Sequence, residues 1–412
     1  MRYYKRFLAS IALFALVCIL FINSVFASSL VMWSQTYGSA EHEVAHWVVE
    51  TSDNGYVIGG YTRDINDGEY DKNFLMIKTD MNGSVQWNQT YELMEYDNVG
   101  SFIRTSDGGF AIVGESSNFW LIKTNNIGKL EWKQTYDTEI DKGRPNSIVQ
   151  TSDLGYAIAG WINAERGMDV VLIKTDMYGK IEWIRTFESI GSNQAFSLIT
   201  TSEGGFALVG TVWSVNSSSY DYWLIKTDTN GIMQWSQTYD YDGFWEDAEF
   251  VAETADGGYV IGGHANFPPP VPLSIFWIIK TDAYGNVEWN KTYEESENRK
   301  VNSVVMTSDE GFALGGVNFL DFWLVKLDSF GTEEWNQTYD GLKSEIVHSI
   351  IETSDGGYTL VGEIYWSDAG DSDFWLVKTD ELGNIPEFPS WTILPVFLML
   401  AMMVLLFRKK TG

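Results

Sequence analysis

The chain has 412 residues, with 56 acidic against 27 basic side chains and a formal charge of −29. Nucleic-acid binding draws its affinity from Lys and Arg on phosphates, so this balance excludes it. A single cysteine, Cys18, excludes a disulfide framework and a thiolate metal site.

The N-terminus runs from the basic "MRYYKR" through the apolar "FLASIALFALVCILF" to the small residues Val25 and Ala27. That order is a secretory signal peptide over 1–27, with Ser28 as the mature start. Next comes "HEVAH" at His42–His46, which matches the zinc-protease pattern H-E-x-x-H. The pattern works only on a helix. Here it leads into a strand, where residues four apart lie about 13 Å apart, so the protease reading is set aside.

From Trp33 to Asp380 one unit recurs seven times. "TSDGGF" at Thr105 has relatives at Thr51, Thr151, Thr201, Thr254, Thr307 and Thr353. "FWLIKTN", ending at Asn125, and a Trp-initiated element such as "WNQTY" at Trp87 each recur seven times as well. Each unit reads as four short strands. In the last copy strand a is Ser349–Thr353, "SDGG" is a hairpin turn, strand b is Tyr358–Gly362 and strand c is Asp373–Asp380. Complete copies add a strand d such as Val287–Tyr293. The strands are near-continuous apolar runs, as expected for sheets covered on both faces. The fold class is therefore all-β, a seven-bladed propeller of four-stranded blades over 28–385. The array starts with a lone strand d at Trp33–Tyr37 and ends without one, so the first strand should complete the last blade and close the ring.

The repeat resembles the secreted β-propeller repeats of archaeal and bacterial surface-layer proteins, in its Lys-x-Asp step, Gly turn and aromatic strand. It departs from them at the a–b turn, written "TSDGG" here. The C-terminal "PEFPSWTILPVFLMLAMMVLLFRKK" resembles an archaeal PEF-type sorting signal over 386–412. Trp391–Phe407 is long enough to form a short transmembrane helix, and Arg408, Lys409 and Lys410 follow it on the cytoplasmic side. The resemblance implies processing by an archaeosortase-like enzyme. Together the two ends imply residence on the extracellular face of the membrane, with the uniform turns toward the bilayer and the variable loops outward.

A residue repeated in every blade belongs to the scaffold. The seven strand-c lysines, including Lys78 and Lys378, and the seven strand-d tryptophans are assigned to packing. Function should lie where the pattern breaks. Counting back five from each turn Thr gives His46, Gly100, Asn146, Phe196, Glu249, Asn302 and His348. His46 and His348 then face each other across the ring closure, where with His42 or Glu249 they suit a metal such as Zn²⁺. Asp368, Asp371 and Asp373 offer a weak Ca²⁺ alternative. The b–c and d–a loops are long, variable and aromatic. Trp161, Trp213, Trp245, Tyr365 and Trp366 offer flat plates for a glycan or a surface protein. Asn82, Asn88, Asn216, Asn290 and Asn336 begin glycosylation sequons. The function these features indicate is an envelope binding module. The alternative is a polysaccharide-acting hydrolase that uses two loop carboxylates.

Overall fold

The computed structural model describes residues 33–39, 42–63, 72–91, 98–116, 118–136, 142–215, 218–267, 274–294, 299–341, 344–365 and 372–385. Residues 1–27, read as a signal peptide, residues 386–412, read as a sorting signal, and Asn216, Trp366, Asp368 and Asp371 lie outside them. The described residues form 28 strands in seven four-stranded antiparallel sheets, without a helix.

Blade 1 is β2 (His42–Glu50), β3 (Tyr56–Arg63), β4 (Lys72–Thr79) and β5 (Val85–Tyr91), paired in that order. Five blades of the same order follow. Blade 7 consists of β26 (Ser344–Glu352), β27 (Tyr358–Tyr365), β28 (Ser372–Lys378) and, as its outer strand, β1 (Trp33–Tyr37). β1 lies antiparallel to β28, from Trp33 opposite Lys378 to Tyr37 opposite Phe374. The ring is closed as the repeat count requires. Every a strand also touches the a strands of both neighbouring blades, so these strands form the inner wall. Burial follows. The c strand Phe119–Thr124 is buried at every position, whereas outer strand β5 is mostly exposed.

Two contacts join each blade to the next. The strand-d Trp meets, edge-on, the first aromatic of the following blade's strand b, as in Trp33–Tyr56, Trp183–Phe206 and Trp335–Tyr358. All seven pairs have ring centroids 5.7–6.4 Å apart. The last residue of strand d then bonds the c–d turn of the same neighbour. Tyr37, Tyr136, Tyr239 and Tyr339 donate to the Gly83, Gly179, Gly285 and Gly383 carbonyls at 2.7–2.8 Å. Tyr91 and Tyr293 make the same bond to Gly128 and Gly331. Blade 3 has Phe187 at this position, buried and without a hydroxyl.

The recurrent lysines tie each blade internally. Lys174 Nζ donates to Asp153 Oδ2 in the a–b turn at 2.8 Å, to the Thr175 carbonyl at 2.8 Å and to Glu182 Oε2 at 3.0 Å. A buried ammonium is tolerable because its donors are filled. Blade 4 writes Glu203 where the others have Asp; Lys226 keeps a longer ion pair to it, at 3.5 Å, and bonds Thr201 Oγ1 at 2.9 Å. Burial alone would raise the turn carboxyls. The Lys and Thr bonds outweigh it and hold Asp53, Asp107, Asp153 and Asp309 down at about 2.

The structure differs from the sequence reading at strand ends: in blade 7 strand b runs on to Tyr365 and strand c spans Ser372–Lys378. Strand a starts earlier, at Ser344 rather than Ser349 in blade 7, because a bulge hides its first half. The a–b turn uses one left-handed residue. It is Gly in four blades, but Asn54, Leu154 and Glu310 in the others, at φ 59°, 69° and 65°.

Two predictions follow from these contacts. Phe187→Tyr places a hydroxyl where the Gly231 carbonyl awaits it and should add about 1 kcal/mol of stability, read by denaturant unfolding. An unchanged midpoint would mean that the tyrosine latch contributes nothing. The second concerns acid. The turn carboxyls have folded pKa values below their unfolded 3.8, so their contribution is complete above that value. It should be lost as pH falls toward about 2. Lys174→Met, which removes one clip, should flatten this loss in acid-unfolding curves.

Candidate functional site

Strand a carries a β-bulge in every blade. The register slips between Ala45 and Trp47, between Ala248 and Phe250, between Val347 and Ser349, and at the four equivalent places. The unpaired residues are His46, Gly100, Asn146, Phe196, Glu249, Asn302 and His348, so the repeat carries five different residue types at this position. A bulge re-aims one side chain while the ladder continues around it. Strand b answers with a glycine: a Cβ on Gly362 would lie 1.8 Å from the Ile346 carbonyl oxygen, and one on Gly60 2.2 Å from that of Val44. The scaffold thus presents seven free choices of residue around the inner wall.

The choices made in blades 1 and 7 bring His46 and His348 together, with ring centroids 4.8 Å apart. Tyr61 stands edge-on to His46 at 5.3 Å. His348 Nε2 lies 3.2 Å from Glu363 Oε1. Burial, then His348, Lys72 and Arg144, push His46 down to about 3, so it stays neutral at physiological pH. His42 and Glu249, weighed as further ligands, are engaged elsewhere. His42 Nδ1 is 2.6 Å from Ser372 Oγ, and Glu249 Oε2 is 3.4 Å from His264 Nδ1. "HEVAH" is strand β2, with Glu43 buried and bonded by Ser39 Oγ at 2.6 Å. Elsewhere on the wall, Asn146 and Asn302 donate to the Ala195 and Val347 carbonyls of the next blade.

The candidate aromatics stand on four blades. Trp161 follows the bulge glycine Gly160 on β11 (Tyr156–Ala164) and pairs with Arg144. Trp213, on β15 (Phe206–Ser214), is edge-on to Tyr220 at 5.1 Å, and its amide donates to Asn193 Oδ1 at 3.1 Å. Trp245 begins β18 (Trp245–Glu253) and is 44% exposed. The Tyr365 ring lies 6.3 Å from that of His42. Asn82, Asn88, Asn290 and Asn336 are all exposed, the last three on outer strands.

Sequence reasoning missed a cleft of about 560 Å³ on the loop face of blade 3, lined by Ala164, Glu165, Arg166, Asp169, Glu188, Ser189 and Ile190. The tip of β11 and β12 (Gly167–Thr175) forms one wall and the link after Phe187 the other. The link is pinned by Asn193 N–H to the Met168 carbonyl at 2.7 Å, and Gly191 packs on Trp213. Burial and Glu188 push the Asp169 carboxyl up. Reading missed Glu246 also. Burial, Asp221 and Asp240 push it up to about 9. The available signal was the position three residues before each bulge, where Glu43, Asn193, Glu246 and Glu345 recur and are buried.

The His46 shift makes a prediction. Its folded pKa lies below the unfolded 6.5, so its contribution is complete above pH 6.5. Stability should fall as the unfolded chain takes up a proton there, down to about pH 3. His46→Gln should remove that part of the pH dependence, and an NMR titration showing the His46 ring protonating near pH 6.5 would contradict it.

No protein-family profile matches the chain, and no curated protein matches it. Solved structures do match. The polysaccharide lyase Uly1 aligns with TM-score 0.53 and 10% identity, over 84% of this chain and 91% of that one. Sqt1 from Chaetomium thermophilum aligns with TM-score 0.48 and 12% identity, over 82% and 88%. A protein of unknown function from Bacteroides caccae aligns with TM-score 0.43 and 12% identity, over 73% and 95%. At 10% identity, the likeness to the lyase is one of fold alone.

Proposed function

We propose that the protein is an extracellular, membrane-anchored propeller that acts as a binding module of the cell envelope. Its ligand is a glycan, or the glycan of a surface protein, taken on the face of the b–c and d–a loops. The observation that carries this reading is the blade 3 cleft. At about 560 Å³ it is the size of a small-ligand site, and its acids and Arg166 offer the acceptors and donors that sugar hydroxyls use. Trp213 stands beside it as an apolar plate. The leader, the sorting tail and the exposed outer-strand sequons support the location: cut or retained, the tail holds the propeller at the membrane, and an archaeosortase-like enzyme is the partner that processes it.

Isothermal titration of the full-length chain with envelope polysaccharides tests this. Glu188→Gln and Trp213→Ala should each weaken binding about tenfold or more. Wild-type affinity in both variants would sink the reading. One observation favours the alternative, a polysaccharide-acting hydrolase: Asp169 and Glu188 share the cleft, and the Asp169 carboxyl is raised. New reducing ends during incubation, absent in Asp169→Asn, would establish it in place of simple binding.

A further inference from the structure

We infer that Asp221, Asp240 and Glu246 form a Ca²⁺ site that clips blade 4 to blade 5 on the loop face. The three come from different strands. Asp221 lies on β16 (Ser219–Thr227), Asp240 directly follows β17 (Met233–Tyr239), and Glu246 lies on β18 of the next blade. One carboxylate oxygen from each lies within 4.8 Å of the other two, the closest such group of potential metal ligands among the described residues. Carboxylates gather on any acidic surface, so proximity alone means little. Glu246 is different. It is 0% exposed, and neither of its oxygens has a partner at full hydrogen-bond distance and angle; the Tyr241 backbone amide is the one donor that acts on it. A buried carboxyl that faces two others either keeps its proton or exchanges it for a cation that stands among the three.

The donor set selects the ion. It is oxygen only, which suits a hard cation and not zinc or copper. Oxygens on opposite sides of Ca²⁺ are about 4.6–5.2 Å apart, against about 4.2 Å for Mg²⁺. A spread of no more than 4.8 Å admits Ca²⁺ as it stands, and its longer bonds and looser geometry suit carboxylates brought in from separate strands better than the strict octahedron of Mg²⁺. Neighbours hold two ligands in place. Ser219 Oγ donates to Asp221 Oδ1 at 3.2 Å, and the Gly243 amide donates to Asp240 Oδ1 at 2.8 Å. The d–a link achieves this with two left-handed residues, Asp242 and Gly243, at φ 53° and 75°. The site is independent of the cleft in blade 3.

The test compares the full-length chain with Glu246→Gln, which keeps the side chain's size and removes its charge. In EDTA the variant should melt at or near the wild-type temperature, because an amide then replaces a carboxyl of the same size that carries a proton. In millimolar Ca²⁺ the wild type should melt above the variant, and equilibrium dialysis should count one fewer Ca²⁺ per variant chain. Asp221→Asn should behave in the same way, and the same concentration of Mg²⁺ should stabilise the wild type less than Ca²⁺ does. Equal Ca²⁺ counts in the two chains, or a variant that melts lower with and without Ca²⁺, would overturn the inference.

Discussion

Everything in this molecule depends on seven blades docking on one another and closing. Each blade is a sheet covered on both faces, so none can bury its apolar surface alone. The edge-on contact between a strand-d Trp and the first aromatic of the next blade's strand b sets the angle between them. Because the contact recurs with nearly constant geometry, small rotations add up to one full turn. Trp33 makes it across the seam as the other six make it within the chain, and β1 lends blade 7 its outer strand. The two ends of the repeat array are thereby locked by a sheet ladder. The buried lysines do complementary work inside each blade, holding the a–b turn against strand c.

On that uniform frame the bulge creates variety. A strand-a residue released from the ladder need not satisfy pairing or sheet packing, so it is free to be His, Gly, Asn, Phe or Glu. The glycine opposite lets the two backbones approach there. The His46–His348 contact is a product of this device and of ring closure together, since the two residues are far apart in the chain and meet only across the seam. The loop face varies for a different reason. Its links cross between blades, and their length does not disturb the sheets. The cleft of blade 3 and the acid cluster of blades 4 and 5 both use links of this kind to bring carboxyls together, in the cluster from two blades.

Much of this was legible in the residues. The period of the Thr-Ser-Asp-Gly turns, the Lys-x-Asp step and the Trp strand specify blade number, strand order and closure, because each mark reflects a local rule of turn chemistry or burial. Even the equivalence of His46 and His348 follows from counting. The first half of strand a was not legible, since a bulge interrupts the alternation that identifies a strand, and the polar residues before it read as loop. The buried glutamate three residues before the bulge was hidden with it.

What the sequence by itself determined, then, is the repeat, the number of blades, the closing strand and the positions where the pattern breaks. These are properties of neighbours in the chain, and a local pattern carries them. Only the tertiary structure decided which of those positions meet. It sent His42 to Ser372 rather than to the histidine pair, set Glu249 against His264, placed Asp169 and Glu188 across one cleft, and turned Asp221 and Asp240 toward Glu246. The physical reason is that some of these contacts cross from one blade to the next, while others turn on a bulge or on the path of a link. Their geometry depends on the angle at which whole sheets dock and on the path of the links between them, and no single repeat contains that information.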